Sequence, residues 1–136
     1  GSGASMNGQT LTVSRAATLD ESLLASGFPY AIRETRETNL PEYAAFSLRA
    51  RGVRRLGSAA LDLAYVAAGR LDGYWELRLG SWDAAAGALL VEEAGGRISN
   101  LEGGPLDLDA PSIVASNGRI HDAMLGVLAQ TRRGTG

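Results

Sequence analysis

The chain has 136 residues, 45% of them hydrophobic, and a formal net charge of −2. This length predicts a single domain, residues 1–136, that can bury a core of its own. Every basic residue is an arginine, these are spread along the sequence, and no apolar run is long enough to span a bilayer, so we expect neither a nucleic-acid nor a membrane partner. The lack of cysteine excludes disulfides and thiolate metal sites and is typical of a cytoplasmic protein.

Turn and capping residues divide the first half of the chain into short elements. Asn7-Gly8 predicts a hairpin whose returning strand covers residues 9–14. A short apolar run at 22–26 predicts a buried strand. Asn39 occupies the first position of a capping box, which predicts a helix over 39–51.

The second half of the chain alternates strands with longer helices. Ser58 is a helix N-cap and Gly69 a helix stop. The single histidine, His121, follows Asn117 by one turn and is expected to face solvent, which argues against a serine-hydrolase triad. The tail from Thr131 is expected to be disordered. The pattern predicts strands over 53–56, 72–79, 97–99 and 113–116, and helices over 58–68, 81–94 and 117–130. This alternation predicts an α/β fold with a mixed, largely parallel sheet flanked by helices.

The most informative stretch of the sequence is a helix that begins with a carboxylate and ends at glycine. Ser81 can cap it, and Asp83 lies in its first turn, where the helix dipole favours negative charge. Gly95 is the expected left-handed stop. A carboxylate at this position is well placed to hold a cation, and it is equally explained as a partner of the dipole, so both interpretations stay open.

This stretch, Trp82 to Gly96, closely resembles the second signature of the inositol monophosphatase family of metal-dependent sugar phosphatases. Further motifs match the family in order, at Gly3-Ala4 with Asn7-Gly8, Gly57 to Asp62, Asp72 to Glu76, Gly103 to Pro105, and Ala115 to Asn117. The family's first signature, an Asp-Pro-hydrophobic-Asp-Gly-Thr run, does not occur in the chain, and neither does its upstream Glu-Glu pair. The resemblance therefore implies the C-terminal domain of the sugar phosphatase fold, with the N-terminal catalytic metal-binding half absent.

The resemblance also implies roles for individual residues. Asp83 would bind a catalytic Mg²⁺ and lie near the hydroxyl groups of the substrate. Glu76 would accept a hydrogen bond from a sugar or inositol hydroxyl, although a salt bridge to Arg78 or another arginine also explains a glutamate at this position. The alcohol side of the substrate would be lined by the start of a helix, which an ordinary helix start explains as well, at Gly57, Ser58 and Ala59.

The activity that the resemblance implies is that of a Mg²⁺-dependent phosphomonoesterase. Metal-activated water would hydrolyse an inositol phosphate or a related sugar or polyol phosphate, so the small-molecule partner would be a phosphate monoester. We expect the chain alone to be inactive and to associate with the missing half or with a second copy of itself. Two alternatives remain: one half of a split enzyme that a partner chain completes, or a non-catalytic binding or dimerisation module.

Overall fold

A five-stranded mixed sheet organises the part of the chain that the computed structural model describes, residues 4–6, 9–27, 38–77, 81–106 and 112–134, with side chains described at 10–27, 38–77, 85–106 and 112–133. The strands are β1 Ala4–Met6, β2 Gln9–Leu11, β3 Leu23–Ser26, β4 Gly52–Arg54, β5 Gly73–Glu76, β6 Arg97–Ser99 and β7 Ile113–Ser116. The helices are α1 Leu40–Ser47, α2 Ala59–Ala67, α3 Ser81–Glu93 and α4 His121–Gly134.

The strand order of the sheet is β4-β3-β5-β7-β6. Strands β4, β3 and β5 are parallel, and β7 runs antiparallel between β5 and β6. The expected α/β class, a mixed sheet flanked by helices, is confirmed. Because α2 and α3 each follow a parallel strand, both helices begin at the edge where β3, β4 and β5 end. That edge therefore combines strand carboxyl ends with helix N-termini.

The sheet separates two cores, as consecutive residues of β5 illustrate. Tyr74 packs on the side that α2 and α3 cover, together with Leu63, Val66 and Val91. Trp75 packs on the opposite side, which α1 and α4 cover, with its ring centroid 4.2 Å from that of Phe46. Both aromatic side chains are fully buried. The central strands are therefore covered on both faces, which explains why β3 and β7 each begin with three consecutive apolar residues.

Several local predictions are confirmed. Met6 pairs with Gln9 across the predicted hairpin, although β2 ends at Leu11 and is shorter than the strand expected over 9–14. The Ser58 hydroxyl accepts a hydrogen bond from the Leu61 N–H at 3.2 Å and so caps α2. Gly69 adopts the left-handed conformation, with φ of 77°, just after that helix.

Three helix boundaries differ from the predictions by several residues. Helix α1 ends at Ser47, before residue 51, and the Asn39 side chain makes no capping bond because it points into the protein interior. The chain does not become irregular at Thr131, since α4 continues to Gly134. Helix α4 also starts four residues later than expected, after a turn in which Asn117 Oδ1 accepts from backbone N–H groups.

Across the described ranges, no helix is both long and apolar enough to cross a bilayer.

The prediction that His121 faces solvent is wrong, because its side chain is completely buried. Ser99 Oγ donates to the Asn100 carbonyl, so it accepts from His121 Nε2–H at 2.8 Å. Ser116 Oγ accepts from the Gly118 N–H and donates to His121 Nδ1, also at 2.8 Å. These partners define a neutral imidazole with its proton on Nε2. Burial lowers the pKa of His121 to about 4, and the positive charge of Arg97 acts in the same direction.

Candidate functional site

A cleft of about 450 Å³ opens at the edge of the sheet where the three parallel strands end. Such edges are favoured ligand sites in α/β proteins because strand ends and helix starts converge there. The cleft is lined by the ends of β3 and β5, the connection from β4 to α2, and the first turn of α2: Ser26, Gly27, Arg55, Gly57, Ser58, Ala59, Asp62, Tyr74 and Glu76.

Glu76 is the last residue of β5 and stands half-buried at the cleft wall. Its carboxylate lies directly against Gly27, since a Cβ atom at that position would collide with Glu76 Oε1. The absence of a side chain at Gly27 therefore makes the space that Glu76 occupies. This arrangement places one carboxylate in the cleft with a defined neighbour on the next strand.

Asp62 and Tyr74 form the floor beneath Glu76. Asp62 is 1% exposed and Tyr74 is fully buried. Within the described residues, Asp62 Oδ1 and the Tyr74 hydroxyl have no hydrogen-bond partner; the hydroxyl approaches Glu76 without reaching hydrogen-bond geometry. Burial, reinforced by the charge of Glu76, raises the pKa of Asp62 to about 7. Burial also raises the pKa of Tyr74 above its usual range, and the carboxylates of Glu76 and Asp62 add to that effect.

The start of α2 supplies the opposite wall. Gly57 has a φ of 84°, a backbone conformation that favours glycine, and a Cβ added there would meet open space. Ser58 caps the helix, so its hydroxyl is engaged with Leu61. The Leu61 N–H is thus satisfied, whereas the backbone N–H groups of Ala59 and Ala60 have no intrahelical acceptor and point out of the helix end. A polar ligand in the cleft thus meets backbone donors on one side and Glu76 on the other.

Arg55 brings positive charge to the same cleft. It lies in the connection between β4 and α2, and its side chain is exposed. An arginine at the mouth of a cleft that holds carboxyl groups moderates their mutual repulsion and offers planar donors to an anion. The site is therefore mixed in charge, unlike a purely acidic metal cage.

Beneath the cleft, a buried amide ties the sheet to α1. Asn39, with a left-handed φ of 69°, accepts from Trp75 Nε1 at 2.7 Å. Its amide nitrogen donates to Ser26 Oγ at 2.8 Å and to the Gly27 carbonyl at 2.9 Å. Ser26 Oγ in turn donates to the Trp75 carbonyl at 2.7 Å. This network fixes the end of β3, and with it the position of Gly27 beside Glu76.

Asp83 lies in the first turn of α3, at the same sheet edge, but its side chain is outside the described residues. In the part of the chain that the structure covers, no three Asp, Glu or His side chains come close enough to hold a metal ion. Mg²⁺ needs oxygen ligands in near-octahedral array and is commonly held by one or two carboxylates plus water and phosphate. The described residues do not make a complete magnesium site by themselves.

The structure brings together four of the five residues that the sequence singled out: Glu76, Gly57, Ser58 and Ala59. It adds residues to which sequence reasoning gave no role, above all Asp62, Tyr74 and Arg55. A signal for Asp62 was present, because a carboxyl group in the apolar run of α2 is costly to bury without a purpose. Arg78, the alternative partner considered for Glu76, lies outside the described residues.

The chain matches a family model described as inositol monophosphatase family over residues 1–133. The inositol-1-monophosphatase of Synechocystis sp. is 48% identical over 129 residues, which are 95% of this chain and 45% of that protein. The Nus factor SuhB of Escherichia coli is 47% identical over 125 residues, 92% of this chain and 47% of that protein. The solved structure of an inositol monophosphatase from Anabaena has a TM-score of 0.92 at 46% identity and covers 94% of this chain and 51% of that one. The chain thus spans about half the length of the relatives it matches.

Proposed function

The chain belongs to the inositol monophosphatase family, and from this premise we propose that it forms the substrate-side half of a Mg²⁺-dependent phosphomonoesterase. Its substrate would be an inositol phosphate or a related sugar or polyol phosphate. The Synechocystis and Anabaena relatives are named as inositol monophosphatases, which supports the reaction class. The cysteine-free composition supports a cytoplasmic location.

The observation that carries the proposal is the position of Glu76 opposite the start of α2 in one open cleft. A polyol offers several hydroxyl groups, each both donor and acceptor. Glu76 accepts from one hydroxyl, and first-turn N–H groups near Gly57, Ser58 and Ala59 donate to another. These contacts orient the alcohol portion of the ester and leave its phosphate at the mouth of the cleft.

Magnesium would be held by Asp83 together with ligands from the part of the relatives that this chain does not span. Bound Mg²⁺ would supply the activated water and offset charge on the phosphate and the leaving oxygen. What the chain itself contributes is the first turn of α3, which favours a carboxylate at Asp83 through its dipole, and the alcohol-binding wall. We therefore propose that the isolated chain does not turn over substrate.

A second candidate is an association module, completed by a partner chain or by a second copy. It is supported by large apolar side chains at the surface, with Leu48 at 85%, Leu89 at 60% and Leu40 at 54% exposure. Exposed apolar groups of this kind favour protein contacts. This candidate requires a dimer or larger species in light scattering. The complementation assay described next separates the two candidates, because only the enzymatic proposal expects phosphate release.

The test of the enzymatic proposal is complementation. The part of the Synechocystis relative that this chain does not match is produced together with the chain. Phosphate release from inositol monophosphate is then measured with and without Mg²⁺. We expect release from the mixture with Mg²⁺ and none from either component alone. Turnover by the chain alone that is lost in Asp83→Asn would contradict the proposal that it is inactive.

The complemented enzyme also tests the roles of the two carboxylates. Asp83→Asn removes charge and costs the helix only about 0.3–1 kcal/mol, so folding should survive while metal dependence shifts and turnover collapses. Glu76→Gln keeps an acceptor oxygen but loses a charge-assisted bond, about 1.5–3 kcal/mol, and should raise KM more than it weakens Mg²⁺. Exposed Asp20→Asn and Glu102→Gln are the matched controls. Equal weakening of Mg²⁺ by both site variants would refute this division of roles.

A further inference from the structure

The floor of the cleft holds a carboxyl group to which neither the family resemblance nor the cleft's alcohol-binding wall gives a task. Asp62 is 1% exposed, lines the cleft, and has an oxygen, Oδ1, without a hydrogen-bond partner in the described part of the chain. Its neighbour Tyr74 is fully buried with an equally unpartnered hydroxyl. Two unsatisfied polar groups at one place are costly unless a proton or a ligand satisfies them.

We propose that Asp62 is a positioning residue that holds the proton of a carboxyl–carboxylate pair with Glu76 and so leaves Glu76 as the single ionised acceptor for a substrate hydroxyl. The binding of a substrate hydroxyl by Glu76 rests on the proposed function, whereas the carboxyl–carboxylate pair does not.

Burial decides which member of the pair keeps the proton. Asp62 and Glu76 line the same cleft, and their like charges oppose the ionisation of both, so one of them stays protonated around neutral pH. Ionisation is more costly for the more deeply buried group. Asp62 is almost fully buried and Glu76 only half-buried, so the charge resides on Glu76. The raised pKa of Asp62, with burial as its first cause and Glu76 as its second, agrees with this assignment.

The surroundings of Asp62 on every packed element are compatible with such a pair. β5 presents Glu76 and Tyr74, and the connection before α2 presents Arg55 to the same cleft. Strands β3 and β7 carry no ionisable side chain. On α3, Glu92 and Glu93 occupy the last turn, at the opposite edge of the sheet, and Asp83 lies in the first turn with its side chain outside the described residues. Among the groups whose side chains are described, Glu76 is the carboxylate coupled to Asp62.

The consequence for ligand binding is a change of charge near neutral pH. Below neutral pH, the cleft presents one negatively charged acceptor, Glu76, next to the neutral carboxylic acid of Asp62. Above it, Asp62 ionises, and a second negative charge lies beneath the first. The two carboxylates then repel each other and are more strongly hydrated, which disfavours binding of a hydroxyl group. A cation, in contrast, is attracted more strongly.

Carbon-13 NMR of the side-chain carboxyl groups of the chain tests the pair without any turnover. Between pH 4 and 9 we expect Asp62 to titrate with a pKa of about 7. Glu76→Gln should shift the Asp62 titration to lower pH, because the like charge is gone. Asp62→Asn should remove the step that the Glu76 signal senses near neutral pH. Exposed Asp20→Asn should change neither titration.

Each outcome of the titration either supports or overturns the pair of Asp62 and Glu76. Titration of Asp62 below pH 5, or a titration that Glu76→Gln leaves in place, would overturn the pair. Should Asp62→Asn fail to fold, the wild-type chain and Glu76→Gln suffice. Because no substrate is added, a lack of phosphatase activity in the complementation test leaves the pair intact, and a failed titration leaves the proposed activity intact.

Discussion

The carboxylate of Glu76 occupies the space that a side chain at Gly27 would need. Glu76 is the last residue of β5, Gly27 directly follows the neighbouring parallel strand β3, and their contact determines where the cleft holds the Glu76 carboxylate. The atom that a new Cβ would meet is the far end of a flexible side chain, so the protein can relieve the collision by moving Glu76 away.

Gly27→Ala should therefore damage the site more than the fold. We expect a loss of stability below about 1 kcal/mol, smaller than typical overpacking in a rigid core. In the complemented enzyme, KM for a polyol phosphate should rise while kcat changes less, because the displaced group binds the alcohol. Gly126→Ala is the control, since a Cβ there meets nothing within 4 Å. A KM equal to that of the control would contradict the role given to Glu76.

Asn39 carries both a backbone and a hydrogen-bonding role, and two substitutions separate them. Asn39→Gly keeps the left-handed φ available but leaves the fully buried Trp75 indole N–H without its acceptor, a loss of about 1–3 kcal/mol. Asn39→Ala loses the same bonds and adds left-handed strain of about 1 kcal/mol or more. Urea unfolding should rank the chains as wild type, then Gly, then Ala. An Ala variant as stable as the Gly variant would show that the strain is absent.

His121 should make the chain sensitive to acid. Its pKa is about 4 when folded and near 6.5 when unfolded, so the unfolded chain binds the proton more readily. The stabilisation is complete above pH 6.5 and is lost as pH falls through the window to 4, by up to about 3 kcal/mol. His121→Gln should be less stable at neutral pH and should lose less stability across that window. Unfolding curves at pH 7 and pH 4.5 measure this, with Asp20→Asn as control; equal pH dependence of wild type and His121→Gln would refute it.

Gly87 marks the closest approach of α2 and α3. A Cβ at this position would lie 2.5 Å from Leu63 Cδ1 and 2.7 Å from Leu63 Cβ, and the latter atom is fixed to the backbone of α2. Gly87→Ala should therefore destabilise the chain by about 1–3 kcal/mol despite the better helix propensity of alanine. Gly126→Ala, in an uncrowded helix, should be neutral or stabilising. Thermal unfolding of both variants tests the comparison.

Local signals in the sequence were enough for most of the fold. Ser58 and Gly69 each act within a few residues, and the hairpin pairing of Met6 with Gln9 is equally local, so these effects are visible in sequence order. Glu76 was singled out through the family resemblance, and the structure places it in one cleft with the start of α2. Local patterns do not show when a residue distant in sequence competes for the hydrogen bonds of a side chain. Asn39 has the spacing of a cap, yet Trp75, 36 residues away, takes its side-chain oxygen.

Burial of single polar residues was the second gap. His121 stands in a helix next to the exposed Asp122, and the positions of Ser99 on β6 and Ser116 on β7 reveal that a neutral imidazole fits between their hydroxyl groups. Asp62 was visible as part of a motif, but its relation to Glu76 depends on α2 lying over the end of β5. Such relations arise from tertiary packing, which the periodicity of one element does not encode.

Tyr74 and Trp75 are adjacent in the chain but belong to cores on opposite faces of the sheet. Substitutions in the two cores, at Leu63 and Met124 for example, should combine additively, because the sheet keeps their neighbours apart. Substitutions can therefore accumulate in the layer of α1 and α4 without altering the packing of the layer of α2 and α3, which borders the cleft. Asn39 is the exception, because it contacts Trp75 on one side and the Gly27 carbonyl on the other. A substitution at Asn39 therefore affects both layers. Sequence changes on the two faces of the sheet, otherwise independent, are coupled at this residue.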